Sequence, residues 1–182
     1  ELQWNGKERI TLRHLLTHYS GLGPVLSLKP GWSGTEEGFK KIVEEKPYSS
    51  PGAHFTYSDI NFQILGELVQ RIYGDPLASY CYAHIFGPIG MEDTFFDPPP
   101  YIRHRIAPTL WNRKNGKMLR GTVHDEVAYR MGGVAGHAGL FSTVDDLSIF
   151  ARMILNGGTI ENMKILEPST VERMTLPQSP SN

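Results

Sequence analysis

The strongest constraint on the fold is the run Ile60–Tyr73, an amphipathic stretch held between the turn Pro51-Gly52-Ala53-His54 and Gly74. Phe62, Leu65, Val69 and Ile72 recur at helical spacing, which predicts a helix with those side chains turned inward. Gly74 can take the left-handed conformation that ends a helix, and Asp75-Pro76 read as the cap and first residue of the next one. An amphipathic helix is stabilised mainly by what covers its apolar face. The rest of the chain must therefore supply packing partners.

Those partners read as short helices joined by Gly/Pro turns. Thr11 caps a helix carrying Leu12, Leu15 and Leu16. A second helix, Thr35 to Glu45, turns Phe39, Ile42 and Val43 inward and stops before Pro47. The helix opened by Asp75-Pro76 buries Leu77, Tyr80, Cys81 and Ile85, then breaks at Gly87-Pro88-Ile89-Gly90. From Asp97 to Met131 the pattern decays. Pro98 to Pro100, Pro108 and Asn115-Gly116 predict a long excursion with a hairpin around Asn115-Gly116. Phe95, Phe96 and Trp111 read as core or loop anchors. After the glycine-rich stretch 132–139, Ser142-Thr143 with Asp145 and Asp146 form a helix-start signature. That helix is expected to bury Leu147, Phe150, Ala151, Ile154 and Leu155, and a last helix runs from Pro168 to Met174. The reading is α+β, mostly helical, with few short strands.

The 182 residues suffice for one domain with a real core, and 40% hydrophobic with 20% charged residues is ordinary for a globular chain. A net charge of -1 gives no large field of either sign and argues against a nucleic-acid partner. Cys81 is the only cysteine, so an internal disulfide or a cysteine zinc cluster is excluded. No apolar run reaches the length needed to span a bilayer. The sequence opens at Glu1-Leu2-Gln3-Trp4 without methionine, and the expectation is a piece of a longer protein.

Chemistry concentrates at Tyr57-Ser58-Asp59, between the turn and the long helix. Free N–H groups and the positive end of the helix dipole favour developing negative charge there. Ser58 or Asp59 reads equally as a plain helix cap. His124, Asp125, Glu126 and His137 could supply nitrogen and oxygen ligands to a divalent metal, but no His-x-x-x-His spacing joins them. Loop anchoring or pocket lining is the favoured reading. His14 and His18 lie one turn apart, and their place in the first helix reads as packing rather than as a metal pair.

Taken in order, several phrases resemble serine hydrolases of the class C beta-lactamase and penicillin-binding-protein type, a family that includes DD-peptidases and esterases. They are Ile10-Thr11-Leu12-Arg13-His14-Leu15-Leu16-Thr17-His18 with Ser20-Gly21-Leu22, and Phe55-Thr56-Tyr57-Ser58-Asp59 after Pro51-Gly52. Further on come Leu65-Gly66-Glu67-Leu68, Ile85 through Met91, and Gly139-Leu140-Phe141-Ser142-Thr143 with Asp145-Asp146-Leu147. Gly121 to Glu126 followed by Gly132 to Gly139 resembles a subgroup whose members occur alone or fused to beta-N-acetylglucosaminidase-type domains.

The resemblance implies the central helical region of a beta-lactamase/transpeptidase-like fold and an acyl-enzyme mechanism on a peptidoglycan-related peptide, beta-lactam or ester. It implies no metal or organic cofactor and an extracytoplasmic location, periplasmic or secreted. Such enzymes use a Ser-x-x-Lys nucleophile, a Tyr-x-Asn element and a Lys-Thr-Gly or His-x-Gly strand. Tyr57 matches the tyrosine, and a phenol needs a nearby ammonium to act as a base at neutral pH. Asp59 stands where asparagine is usual. A carboxylate accepts hydrogen bonds but cannot donate them, so it could hold a lysine while repelling an anionic substrate. Tyr57 and Asp59 are therefore the catalytic candidates, and Ser58, His124, His137 and Gly139 the pocket candidates. His137-Ala138-Gly139 formally matches His-x-Gly but reads as the turn into the next helix. No serine has a lysine three positions later. Residues 1–176 are thus expected to be the middle of such a domain, lacking the nucleophile motif and the docking strand, with 177–182 a tail. Such a segment is expected to be inactive alone. The rival reading is a binding or sensor domain that keeps the fold and has lost the chemistry.

Overall fold

Two apolar clusters organise the chain, and buried polar side chains tie distant segments together around each. The computed structural model describes residues 5–112 and 116–178. Its order is α1 (Leu12–Leu16), α2 (Thr35–Glu44), α3 (Asp59–Tyr73), α4 (Leu77–Cys81), β1 (Leu110–Asn112), β2 (Lys117–Leu119), α5 (Glu126–Arg130), α6 (Val144–Leu155), β3 (Thr159–Ile160), β4 (Met163–Lys164) and α7 (Pro168–Thr175). A π-helical turn, Tyr82–Phe86, extends α4, and a 3-10 turn covers Pro100–Arg105. The strands form two antiparallel hairpins, β1 with β2 and β3 with β4. The expected α+β, mostly helical architecture holds, and the hairpin falls where Asn115-Gly116 predicted it. Residues 113–115 of its turn lie outside the described residues, as do 179–182 of the tail.

Local sequence explains the element ends. At α1 the Thr11 hydroxyl accepts from the His14 amide at 3.3 Å, while His14 Nδ1 accepts from the Thr11 amide at 3.2 Å. That reciprocal cap is worth about 1 kcal/mol. Thr143 caps α6 by accepting from Asp146 N. Gly74 ends α3 in the left-handed conformation, as expected. Asp75-Pro76 fall one residue short of their assigned roles, because Pro76 is itself the cap and Leu77 the first helical residue.

The first cluster gathers Leu15, Leu22, Leu26, Phe39, Ile42, Ile60, Ile64, Val127, Ala128 and Met131 between α1, α2, α3 and α5. Phe86, Ile89, Met91, Met153 and Ile160 form the second, around α6. Lys7 fastens the first segment to the end of α2: its buried ammonium donates to Val43 O at 2.7 Å and to Glu45 O. There the cation also meets the negative end of the helix dipole.

The predicted inward faces of two helices need correcting. In α3 the buried side chains are Ile60, Asn61, Gln63 and Ile64, whereas Ile72 is 68% exposed. In α6 they are Met153 and Asp146, whereas Leu147 is 54% and Leu155 83% exposed. Leu65 of α3 and Phe150 and Ile154 of α6 pack against the two clusters as expected, and polar side chains join them inside because they found distant partners. Asp146 Oδ2 accepts from Asp93 N at 2.9 Å and from Thr94 Oγ1 at 2.6 Å, tying α6 to the chain fifty residues before it. A buried carboxylate satisfied in this way is tolerated, and an unsatisfied one is not. Trp111 is not a core anchor either: it is exposed on β1.

Candidate functional site

The turn before α3 is laid onto the segment after α1 by backbone hydrogen bonds. Tyr48 N donates to Gly21 O, Gly52 N to Tyr19 O, Thr56 N to His18 O and Asp59 N to Pro24 O, at 2.7 to 2.9 Å. Ser58 locks the same joint from inside. It is fully buried, and its hydroxyl donates to Gly23 O at 2.6 Å. The pocket assignment for Ser58 is therefore corrected: its side chain holds the backbone and faces no cleft. It also occupies the N-cap position of α3 without making a side-chain cap bond.

Tyr57 points the other way. Its ring is 64% exposed and stacks on the His18 imidazole with centroids 4.6 Å apart and planes tilted by 34°. His18 is itself held in place. Its Nδ1 accepts from Ser58 N at 3.1 Å and pairs with Asn61 Nδ2 at 3.3 Å. Two donors aimed at one ring nitrogen fix the neutral tautomer with its proton on Nε2. Burial lowers the His18 pKa from its ordinary value, partly opposed by the nearby Asp59 carboxylate. The backbone at His18 is left-handed, φ 60°, a conformation that costs a non-glycine residue about 1–2 kcal/mol and persists only when its surroundings fix it.

Behind His18 the network continues inward. The Asn61 amide is completely buried, and its oxygen accepts from Ser20 Oγ at 2.6 Å. Ser20 Oγ in turn accepts from Leu22 N at 3.1 Å. One chain of hydrogen bonds thus runs from the core to the ring beneath Tyr57. His18, Ser20 and Asn61 were not singled out as site residues from the sequence. His18 and Ser20 lie in one of the matching phrases, which was a usable signal. Asn61 carried none, because a polar residue in a helix reads as a solvent-facing one.

A second group lies at the opening of α3. Asp59, Asp125 and His137 each offer a ligating atom, and these atoms lie within 4.8 Å of one another. Asp125 is the cap of α5: its Oδ1 accepts from Ala128 N at 2.7 Å and sits 2.9 Å from His137 Nε2. The His137 side chain is only 4% exposed. His124 and Glu126, grouped with these residues in the sequence reading, are exposed at the surface. Gly136, next to His137, crosses α3 so closely that an added Cβ would stand 2.0 Å from Phe62 O. Gly139 is buried, and a Cβ there would meet Gly133 O at 2.1 Å, so its place is set by packing of the loop on itself. A groove of about 400 Å³ opens beside this loop, lined by Thr122, Val123, Tyr129, Gly133 and Phe141.

The arrangement offers an exposed phenol stacked on His18, followed at the N-terminus of α3 by a group of two carboxylates and an imidazole. Such a surface can hold a cation and share in proton transfer. A protein of Salmonella schwarzengrund, provisionally named a D-alanyl-D-alanine carboxypeptidase, is 32% identical over 194 residues, covering 93% of this chain and 44% of that protein. The chain thus spans under half the length of the curated relatives it matches. Among solved structures, simvastatin synthase of Aspergillus terreus is 28% identical with a TM-score of 0.66, covering 92% of this chain and 43% of its own. A class C beta-lactamase of Rhodobacter sphaeroides shares the fold at 20% identity, with a TM-score of 0.69 over 96% of this chain and 45% of that one. The beta-lactamase family profile matches residues 1–181. Its sequence and its fold agree, and the chain belongs to the beta-lactamase family.

Proposed function

We propose that the chain is the tyrosine-bearing helical part of a serine acyl hydrolase that works through an acyl-enzyme intermediate outside the cytoplasm. The carrying observation is the exposed Tyr57 phenol, seated on His18 and followed by Asp59 at the N-terminus of α3. In this reading the attacking serine and its lysine come from another part of the protein, and residues 1–176 are the middle of the domain. Two facts support that division. The relatives are more than twice as long as the stretch they share with it. In addition, the chain exposes 11686 Å², against about 8,800 Å² for a compact monomer of its mass. Leu12, Leu16, Leu147 and Leu155 contribute to that surplus.

The chemistry follows from the groups present. Tyr57 is free to exchange a proton with the serine or with the leaving group. Asp59, beside Asp125, makes this end of the cleft acidic, which suits a lysine ammonium better than a substrate carboxylate. The relatives named for D-alanyl-D-alanine carboxypeptidase activity favour a peptidoglycan-derived peptide, and beta-lactams and esters share the acyl chemistry. Among the described residues no helix is long and apolar enough to cross a membrane.

In the full-length protein, Tyr57→Phe is expected to slow turnover of a phenyl ester, and acylation by a fluorescent penicillin, by about 100-fold. Unchanged acylation would remove Tyr57 from the proton path. Failure of the unaltered full-length protein to react with any such probe would favour a binding domain instead.

A further inference from the structure

The polar group at the opening of α3 contains a hydrogen-bonding conflict that the acyl-transfer chemistry does not use. Gln63 is 2% exposed, and its Nε2 lies 3.4 Å from His137 Nε2. Among the described residues, Gln63 Oε1 and His137 Nδ1 are buried without a hydrogen-bond partner. His137 Nε2 therefore faces two groups of opposite demand. If it carries a proton, that N–H donates to Asp125 at 2.9 Å but confronts the Gln63 amide hydrogens. If it is bare, it can accept from Gln63, but its lone pair then opposes the Asp125 carboxylate. The two ends of a carboxamide have the same shape, and turning the Gln63 side chain over brings its carbonyl oxygen to the junction. With Nε2 bare, that oxygen joins His137 Nε2 and the neighbouring Asp125 and Asp59 carboxylates as a fourth electron-pair donor.

We propose that Asp59, Asp125 and His137, with the Gln63 side-chain carbonyl as a fourth ligand, form a divalent-cation site that ties the start of α3 to α5 and the glycine-rich loop. One imidazole nitrogen with three oxygens suits zinc. Ligands about 2.1 Å from a tetrahedral zinc lie about 3.4 Å from one another. The 3.4 Å separation between His137 Nε2 and the Gln63 amide matches that spacing, and the 2.9 Å hydrogen-bond contact with Asp125 would open by about 0.5 Å on metal binding. The ligating atoms of Asp59, Asp125 and His137 lie within 4.8 Å of one another, a gap that side-chain rotation can close. Gly136 fixes the approach, since no side chain fits between the loop and Phe62 O. Coordination through one Asp59 oxygen leaves the other for a lysine or substrate, so the site is compatible with the acyl-transfer reading without resting on it.

The test is zinc titration of the tag-free, chelator-stripped chain by calorimetry, with thermal unfolding alongside. One equivalent should bind and raise the melting temperature. Asp125→Asn, which can still cap Ala128, and His137→Ala should each weaken binding at least tenfold, whereas exposed His104→Ala should leave it unchanged. Gln63→Glu should melt lower than the unaltered chain without zinc and bind zinc more tightly. Absence of stoichiometric binding would overturn the proposal. So would binding insensitive to both Asp125→Asn and His137→Ala, which would mark scattered surface histidines as the ligands. Weaker zinc binding by Gln63→Glu would overturn the fourth ligand.

Discussion

Removing the Asn61 amide tests whether a buried network, rather than apolar packing, seats the candidate phenol. Asn61→Ala deletes two contacts at once, the 2.6 Å bond from Ser20 Oγ and the 3.3 Å contact with His18 Nδ1. His18 keeps its bond from Ser58 N, so the main loss falls on Ser20. A buried hydroxyl left without an acceptor costs about 1–3 kcal/mol. The vacated amide volume in a site with no solvent exposure adds roughly 1 kcal/mol. The expected destabilisation is therefore about 2–4 kcal/mol, a large share of a typical domain's total stability. Urea unfolding should show a lower midpoint at unchanged slope. The sharper measurement is the double-mutant cycle with Ser20→Ala. Once the hydroxyl is gone no donor is stranded, so Asn61→Ala should cost about 1–2 kcal/mol less in that background. Additivity within about 0.5 kcal/mol would refute the network, and a changed slope would mean that the comparison had left the two-state regime.

Two further outcomes follow from the same region. Burial lowers the His18 pKa, so the folded state prefers the neutral ring. The stability this confers is complete above the unfolded value near 6.5 and is lost as pH falls from there through the lower folded value. Melting temperatures should therefore drop as the pH falls below about 6.5. His18→Asn, which accepts the left-handed backbone and offers an acceptor to Ser58 N, should flatten that part of the profile, and an unaltered slope would exclude His18 as its source. At the loop crossing, a Cβ on Gly136 would stand 2.0 Å from Phe62 O and 3.0 Å from Gly66 N, so the backbone must shift by more than an ångström. Gly136→Ala should cost about 3 kcal/mol or more by thermal unfolding. Gly132→Ala, where nothing lies within 4 Å and only the positive φ is penalised, should cost about 1–2 kcal/mol. Equal losses would show that α3 and the loop are not in tight contact.

The sequence by itself determined where several helices start and stop, while the short α5 fell in the stretch 97–131 that it read as an irregular excursion. Thr11, Thr143 and Gly74 act through their nearest neighbours, and a cap or a left-handed exit involves only a few consecutive residues. The hairpin and the place of Tyr57 ahead of α3 were legible for the same reason. Only the tertiary structure decided which face of each helix is covered. Periodicity marks which residues are apolar, but Leu147 and Leu155 are left uncovered by the rest of this chain while Asn61, Gln63 and Asp146 go inside. Burial of a polar group is settled by a partner far along the chain: Ser20 for Asn61, Thr94 for Asp146. Nothing local encodes those meetings. The same holds for Asp59, Asp125 and His137, which are brought to one point only because Gly136 lets a loop rest against the backbone of α3.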